Sequence, residues 1–401
     1  MKKRIYLDHA ATTPVDPAVI RAMRPFFSEQ FANPSSLHAA GSEAQRAVAQ
    51  ARRTIADLLH AHEEEIVFCS GGTESDNLAI QGTIRAHREH GNHVITSTIE
   101  HPAVLETLER LARRGEIELT KIPVSEDGLV PAERVAQAIT ERTVLVSIMM
   151  ANNEIGTVQP IADIGRAILA YRKDHPGIYP VFHTDACQAA GTLDLDVMKL
   201  HTDLLTCNGT KIYGPKGIGL LFVRRGLKIE PMMIGGGQER GLRSGTEDVP
   251  GIIGFAKAFE LAQKRKEKEN VRLVALRDRL IEGLLRIPKS RLNGHATERL
   301  PNNANISFLD IEGEAAVLYL DAKGICCSTG SACASTSLDP SHVILALGMS
   351  YEAAHGSLRF SLGHATMKED VDTVIKVMPK IVERLRHMSP VNLDMKYFKK
   401  G

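Results

Sequence analysis

From about residue 63 to 225, short β-rich runs alternate with helical patterns. The runs are "EIVFCS", "HVITST", "TVLVSIMMA", "YPVFHTDA", "DLLTCNG" and "GIGLLFVRR", with segments such as "LAIQGTIRAHREH" between them. This alternation constrains the fold more than any other feature. Apolar runs suit strands buried on both faces, and the helices supply the crossovers, so a mostly parallel sheet covered by helices is expected. In such α/β sheets ligands lie beyond the carboxyl ends of the strands, which makes the residues after each run the candidates for chemistry.

A glycine-rich stretch at 235–248, "GGGQERGLRSGTED", ends the alternation, and a long charged amphipathic helix is expected from roughly 252 to 286. The last third mixes strands such as "NANISFL" and "SLRFSLG" with helices, and Thr366 with Glu369 forms a capping-box signature for the final one. A chain of 401 residues has room for about two domains. The expected division is a large domain over 15–251 and a smaller α+β domain made of 1–14 and 252–401.

Forty-nine basic and 48 acidic residues leave a net charge of +1, with no broad footprint for nucleic acid or an anionic membrane; a small substrate is expected. The start, "MKKRIYLDHAATTP", reaches Asp8, His9 and Pro14 before any apolar region forms, unlike a secretory signal, and no apolar run reaches membrane-spanning length. The six cysteines (Cys69, Cys187, Cys207, Cys326, Cys327 and Cys333) match neither a secreted disulfide framework nor a common zinc spacing. A reducing cytoplasm is the expected location.

Five strand ends carry suggestive side chains. "EIVFCSGGTESDN" reads strand, glycine turn, helix, so Gly71, Gly72 and Thr73 outline a phosphate cradle at a helix start, without the lysine of a Walker loop. Asp185 in "YPVFHTDACQ" could keep a ring nitrogen protonated, with Gln188 three residues on. His101 in "STIEHPAV" could stack on a ring or shuttle a proton, and "MMANNEIG" brings Asn152, Asn153 and Glu154 to another strand end. Lys211, in "NGTKIYGPKGIG", offers an amine beside a rigid loop, as covalent capture of an aldehyde requires. Taken singly, each has an ordinary explanation: a capped helix, an N-cap, a structural histidine, a turn, a surface lysine. Together they are the parts that pyridoxal phosphate asks for.

"GICCSTGSACASTSLDP" surrounds Cys333 with small residues, and a mobile loop over about 325–337 is expected, carrying an exposed thiol. Pyridoxal phosphate acts as an electron sink for a bound amino acid, so a thiolate there could take sulfur from the substrate and leave alanine.

"YLDHAATTP", "SGGTESDN", "EHPAV", "NNEIG", "HTDACQ", "KIYGPKGIG", "GGGQERGLRSGT" and "STGSACAS", in this order to about Pro390, closely resemble the cysteine desulfurases of the NifS/IscS type. The resemblance implies a fold-type I pyridoxal 5′-phosphate transferase with a mostly parallel seven-stranded sheet. It also implies a homodimer with sites at the subunit interface, and conversion of L-cysteine to L-alanine with sulfur held as a persulfide. By matching position, Lys211 resembles the cofactor lysine and Cys333 the persulfide nucleophile. His101 resembles the residue stacked on the ring, Asp185 the partner of the ring nitrogen, and Gln188 the partner of the phenolic oxygen. Gly72 and Thr73 resemble the phosphate cradle, Asn153 a cofactor contact, and Thr246 a phosphate contact from the other subunit. Asn33 and Arg359 resemble the clamp on the substrate carboxylate.

Asn208 and Thr210 stand where the family usually has serine and histidine; both can still donate hydrogen bonds to a phosphate, with weaker cofactor retention or a shifted imine pKa expected. Cys326 and Cys327 replace apolar or small residues and are read either as simple packing or as a neighbouring thiol that accepts sulfur or forms a disulfide with Cys333. The resemblance implies a sulfur acceptor or iron–sulfur scaffold protein as partner, serving clusters or thiolated cofactors, although the tail after Pro390 is short. It extends to a transient iron–sulfur ligand role for Cys333, with no firm metal site otherwise. Two other readings stay open: another pyridoxal phosphate lyase or aminotransferase of this fold, and a catalytically weakened paralogue acting as a sulfur-assembly scaffold.

Overall fold

The computed structural model describes residues 4–175, 177, 179–329 and 339–398. Cys333 lies outside the described residues, as does most of the expected loop around it. The strands are β1 (Ile5–Tyr6), β2 (Ile66–Cys69), β3 (His93–Ser97), β4 (Glu118–Ile122), β5 (Thr143–Ser147), β6 (Val181–Asp185), β7 (Leu204–Asn208), β8 (Gly219–Val223), β9 (Ser290–Asn293), β10 (Asn303–Phe308), β11 (Ile325–Cys326) and β12 (Ser357–Ser361).

Seven of them form one sheet in the order β2-β8-β7-β6-β5-β3-β4. The pairings from β7 through β6, β5 and β3 to β4 are parallel, and β8 runs antiparallel to both its neighbours. This is the mostly parallel seven-stranded sheet expected. Every strand of it but β4 is buried at every position, which is why these segments read as β-rich, largely apolar runs without a polar face. β4 is an edge strand with only Ile122 buried, and for that reason it left no comparable run in the sequence.

Two apolar clusters cover the two faces of this sheet, one built on Ile55, Phe182, Phe222 and Phe255, the other on Leu78, Val94, Leu108 and Leu204. Each fully buried side chain of this kind stabilises the fold by roughly 1.5–3 kcal/mol. A third cluster lies around the antiparallel sheet β12-β10-β9 and joins Phe308 and Phe360 to Leu280, Val374 and Met378.

The helix Val249–Leu285 links these cores. Asp248 caps it by accepting from the Gly251 N–H at 3.0 Å, and Pro250 fits the first turn, where no donor is needed. At 1.5 Å per residue its 37 residues run about 55 Å. Ile252, Phe255 and Phe259 belong to the large-sheet core, whereas Leu273, Leu280 and Leu284 belong to the smaller one.

The final helix, Lys368–Met388, starts one residue later than the capping signature implied. Asp370 accepts from the Met367 N–H at 2.9 Å, while the Thr366 hydroxyl instead accepts from the Gly363 N–H. The N-terminal strand β1 pairs in parallel with β11, Ile5 opposite Ile325, and the chain then crosses to the large sheet.

Candidate active site

The carboxyl ends of β2, β6 and β7 open on one cavity of about 520 Å³, lined by residues 10–11, 70–74, 76, 101, 149, 153, 185, 187, 188, 208, 210, 211, 217, 218 and 359. Of the residues singled out from the sequence, Gly72, Thr73, His101, Asn153, Asp185, Gln188, Asn208, Thr210, Lys211 and Arg359 meet there. Asn33 and Thr246 do not line it. The Asn33 amide oxygen closes a turn on the Ser35 N–H at 2.9 Å, and Thr246 is exposed.

Lys211 follows β7 in a short 3₁₀ turn. Its Nζ donates to the Ala10 and Ala11 carbonyls at 2.8 and 2.7 Å. The loop beyond is held from two sides. Thr13 Oγ1 accepts from the Tyr213 N–H at 2.9 Å, and the Tyr213 ring stacks on His364 at 3.8 Å. Tyr213 adopts φ 63°, a conformation costing about 1–3 kcal/mol that persists only when neighbours impose it. The amine therefore projects from a fixed backbone.

His101 is the N-cap of the helix Pro102–Arg113. Its Nδ1 accepts from the Ala103 N–H at 3.1 Å, so in the neutral ring the proton sits on Nε2. Burial lowers its pKa, with Asp185 opposing that shift and Lys211 and His342 adding to it. The ring is a neutral, oriented Nε2–H donor.

Asp185 ends β6 and is 7% exposed, with Oδ1 accepting from the Cys187 N–H at 2.8 Å. Residues two apart on a strand share a face, so His183 lies beneath it, hydrogen-bonded to Ser147 and Thr206 at 2.8 and 3.1 Å. Burial holds His183 down to about 4, hence neutral. Asp76, on the helix Gly72–His87, sits with Oδ1 3.7 Å from His183 Nε2. Burial and then the Asp185 charge push its carboxyl well above the ordinary value. A proton held on Asp76 relieves the repulsion that two neighbouring carboxylates would otherwise carry. Sequence reasoning missed Asp76, although it falls one helical turn after Gly72 and so on the same face.

The cradle is shaped by backbone. Gly71 takes φ 156° and ψ −177°, a region that glycine alone fills comfortably. A Cβ on Gly72 would lie 2.8 Å from Cys187 Sγ and 3.1 Å from Asn208 Nδ2. The Asn208 Oδ1 atom is buried without a hydrogen-bond partner, and Thr210 Oγ1 is 2.8 Å from Thr12 Oγ1. A closely approached helix start, an unsatisfied polar atom, a buried carboxylate and a fixed amine in one cavity fit pyridoxal 5′-phosphate.

Arg359 on β12 is 2% exposed and donates to Asp8 Oδ1 at 2.8 Å and to the Asn153 carbonyl at 3.1 Å. The described cysteines are all raised in pKa by burial: Cys69 and Cys327 to about 12, Cys187 and Cys207 well above the ordinary value, and Cys326 less buried. Cys327 packs in the smaller core, as simple packing requires. None of these five is an activated thiol.

The fold and this cavity define a fold-type I pyridoxal 5′-phosphate enzyme. Residues 5–374 match the class-V aminotransferase family. A cysteine desulfurase IscS of Methanosarcina thermophila is 53% identical over 389 residues, covering 97% of this chain and 94% of the relative. A solved NifS-like protein superposes with a TM-score of 0.88 at 36% identity, covering 96% of this chain and all of the other. A structure described as SspA in complex with cysteine gives 0.77 at 38% identity, covering 90% of this chain and 99% of the other. The chain belongs to the class-V aminotransferase family, among its cysteine desulfurases.

Proposed function

We propose that this chain converts L-cysteine to L-alanine and passes the sulfur, held as a persulfide on Cys333, to acceptors for iron–sulfur clusters or thiolated cofactors. The observation that carries the reading is the convergence of Lys211, Asp185, His101 and Arg359 on one cavity. Lys211 holds the cofactor covalently through its amine. Asp185 would hold the ring nitrogen protonated, Gln188 would serve the phenolic oxygen, and His101 would stack on the ring with its Nε2–H as donor. Gly72, Thr73, Asn208 and Thr210 hold the phosphate, joined by Thr246 of the partner subunit in a homodimer. Asn153 is a further cofactor contact, and Arg359 fixes the substrate carboxylate.

When bound, pyridoxal phosphate supplies an electron sink for the amino acid. The Cys333 thiolate attacks the substrate sulfur; an S–S bond forms, the C–S bond breaks, and its electron pair with one proton stays on the carbon skeleton as alanine. No external oxidant is needed. Among the described residues no helix is long and apolar enough to cross a membrane, and no cluster of potential metal ligands is present.

The test is to incubate the purified protein with L-cysteine and measure alanine together with intact mass. Stoichiometric alanine and a 32 Da addition mapped to Cys333 (the mass of one sulfur atom, ~32 Da) are expected. Absence of alanine would overturn the reading.

A further inference from the structure

In the proposed reaction Arg359 binds the carboxylate of the amino acid, and the role inferred here for Asp8 rests on that reading. A guanidinium carries five N–H donors in a rigid fork, and the long stem beneath it does not choose a direction by itself. Two contacts make the choice. Nη1 donates to the Asn153 carbonyl at 3.1 Å and Nη2 to Asp8 Oδ1 at 2.8 Å, while Nε is buried without a hydrogen-bond partner.

Of the two, Asp8 is the charged one. A guanidinium that is 2% exposed is costly to leave unpaired, and the Asp8 carboxylate is the charged group hydrogen-bonded to it. Asp8 is itself fixed. It bridges to Ser361 on β12, two residues beyond Arg359, and its carbonyl accepts from the Tyr6 hydroxyl at 3.1 Å. The Arg359 backbone is pinned in turn by a reciprocal pair with Ser328, at 3.2 and 2.7 Å. With one N–H of each Nη occupied, the fork keeps further N–H donors, of which the buried Nε has no hydrogen-bond partner.

We propose that Asp8 is a positioning residue: it orients the Arg359 guanidinium so that its remaining N–H groups meet the carboxylate of an α-amino acid. Asp8 does not touch the substrate in this scheme. It acts only through the arginine, so its removal weakens substrate binding and leaves the chemical step largely alone.

The test uses the holoenzyme with Asp8→Ala and Asp8→Asn. Asp8→Ala is expected to raise KM for L-cysteine about tenfold, with kcat within about threefold of wild type. Asp8→Asn keeps an acceptor oxygen in place and is expected to recover most of the KM, an outcome that a general loss of stability would not produce. A crystal structure of Asp8→Ala should show the guanidinium turned away from its place between residues 8 and 153. An unchanged KM, equal KM increases in both variants, or an unmoved guanidinium overturns the proposal. Asp8→Ser serves the same comparison should Asp8→Ala not fold. If the wild type yields no alanine, the functional reading falls, and the arginine position in the variant crystal structure still decides this inference.

Discussion

Glu74 and Arg243 form an ion pair at 2.9 Å that ties the cradle helix to the glycine-rich stretch ending near Thr246. The other Glu74 oxygen accepts from the Ser70 N–H, also at 2.9 Å. Burial alone would raise this carboxyl, but hydrogen bonds from Arg243 and Ser70 hold it below the ordinary 4.5. A depressed carboxyl stabilises the fold above 4.5 and loses that contribution as pH falls through its folded value. Glu74→Ala is therefore expected to speed cofactor release about tenfold near neutral pH, read from the decay of cofactor absorbance on dilution, with the difference from wild type shrinking in acid.

Glu100 lies at the opposite extreme. It is fully buried, accepts from Ser97 Oγ and the Met149 N–H, and burial pushes its carboxyl up to about 8. The folded chain then keeps a proton that the unfolded chain releases above 4.5, so stability falls as pH rises from 4.5 toward 8. Glu100→Gln, which carries no ionisable proton, is expected to flatten that slope and to stabilise the protein at pH 7 by up to about 3 kcal/mol. Urea unfolding at pH 5 and pH 8 checks it; an equally steep loss in the variant contradicts the assignment.

His183 gives the acid counterpart. With its pKa held at about 4 against an ordinary 6.5, the unfolded state binds the extra proton between those values. Stability contributed by the neutral ring is complete above 6.5 and is lost as pH falls toward 4, by about 3 kcal/mol at most. Thermal melts from pH 7 to 4.5 should therefore be steeper for wild type than for His183→Asn.

Gly72→Ala should leave the fold intact and damage the cradle. The added methyl would lie 2.8 Å from Cys187 Sγ and 3.1 Å from Asn208 Nδ2, so these two cavity-lining side chains must shift to admit it. Cofactor affinity is expected to drop about 10- to 100-fold in equilibrium titration of the apoprotein, with an unchanged circular dichroism spectrum. Retained affinity would place the phosphate elsewhere.

Much of this was legible in the sequence because strand ends in a parallel sheet converge by topology, so Asp185, Lys211 and His101 could be grouped from the alternation of runs, whereas Asn208 and Thr210 were singled out only through the family resemblance. Features that depend on side-chain direction were less so. Asp76 was hidden within a motif read for its glycines, and β4 within an alternating edge segment. Asp8 could not have been paired with Arg359 at all, since 351 positions separate them and no local pattern encodes that contact. Asn33 lies outside the cavity, its amide oxygen held locally by the Ser35 N–H, and nothing in its local sequence signalled that placement.

The pairing of Ile5 with Ile325 has a consequence for biosynthesis. A ribosome delivers the amino-terminal strand first and must emit more than three hundred residues before its partner exists. The amino-terminal strand therefore stays unpaired through most of synthesis, and closure of this two-stranded sheet is among the last steps of co-translational folding.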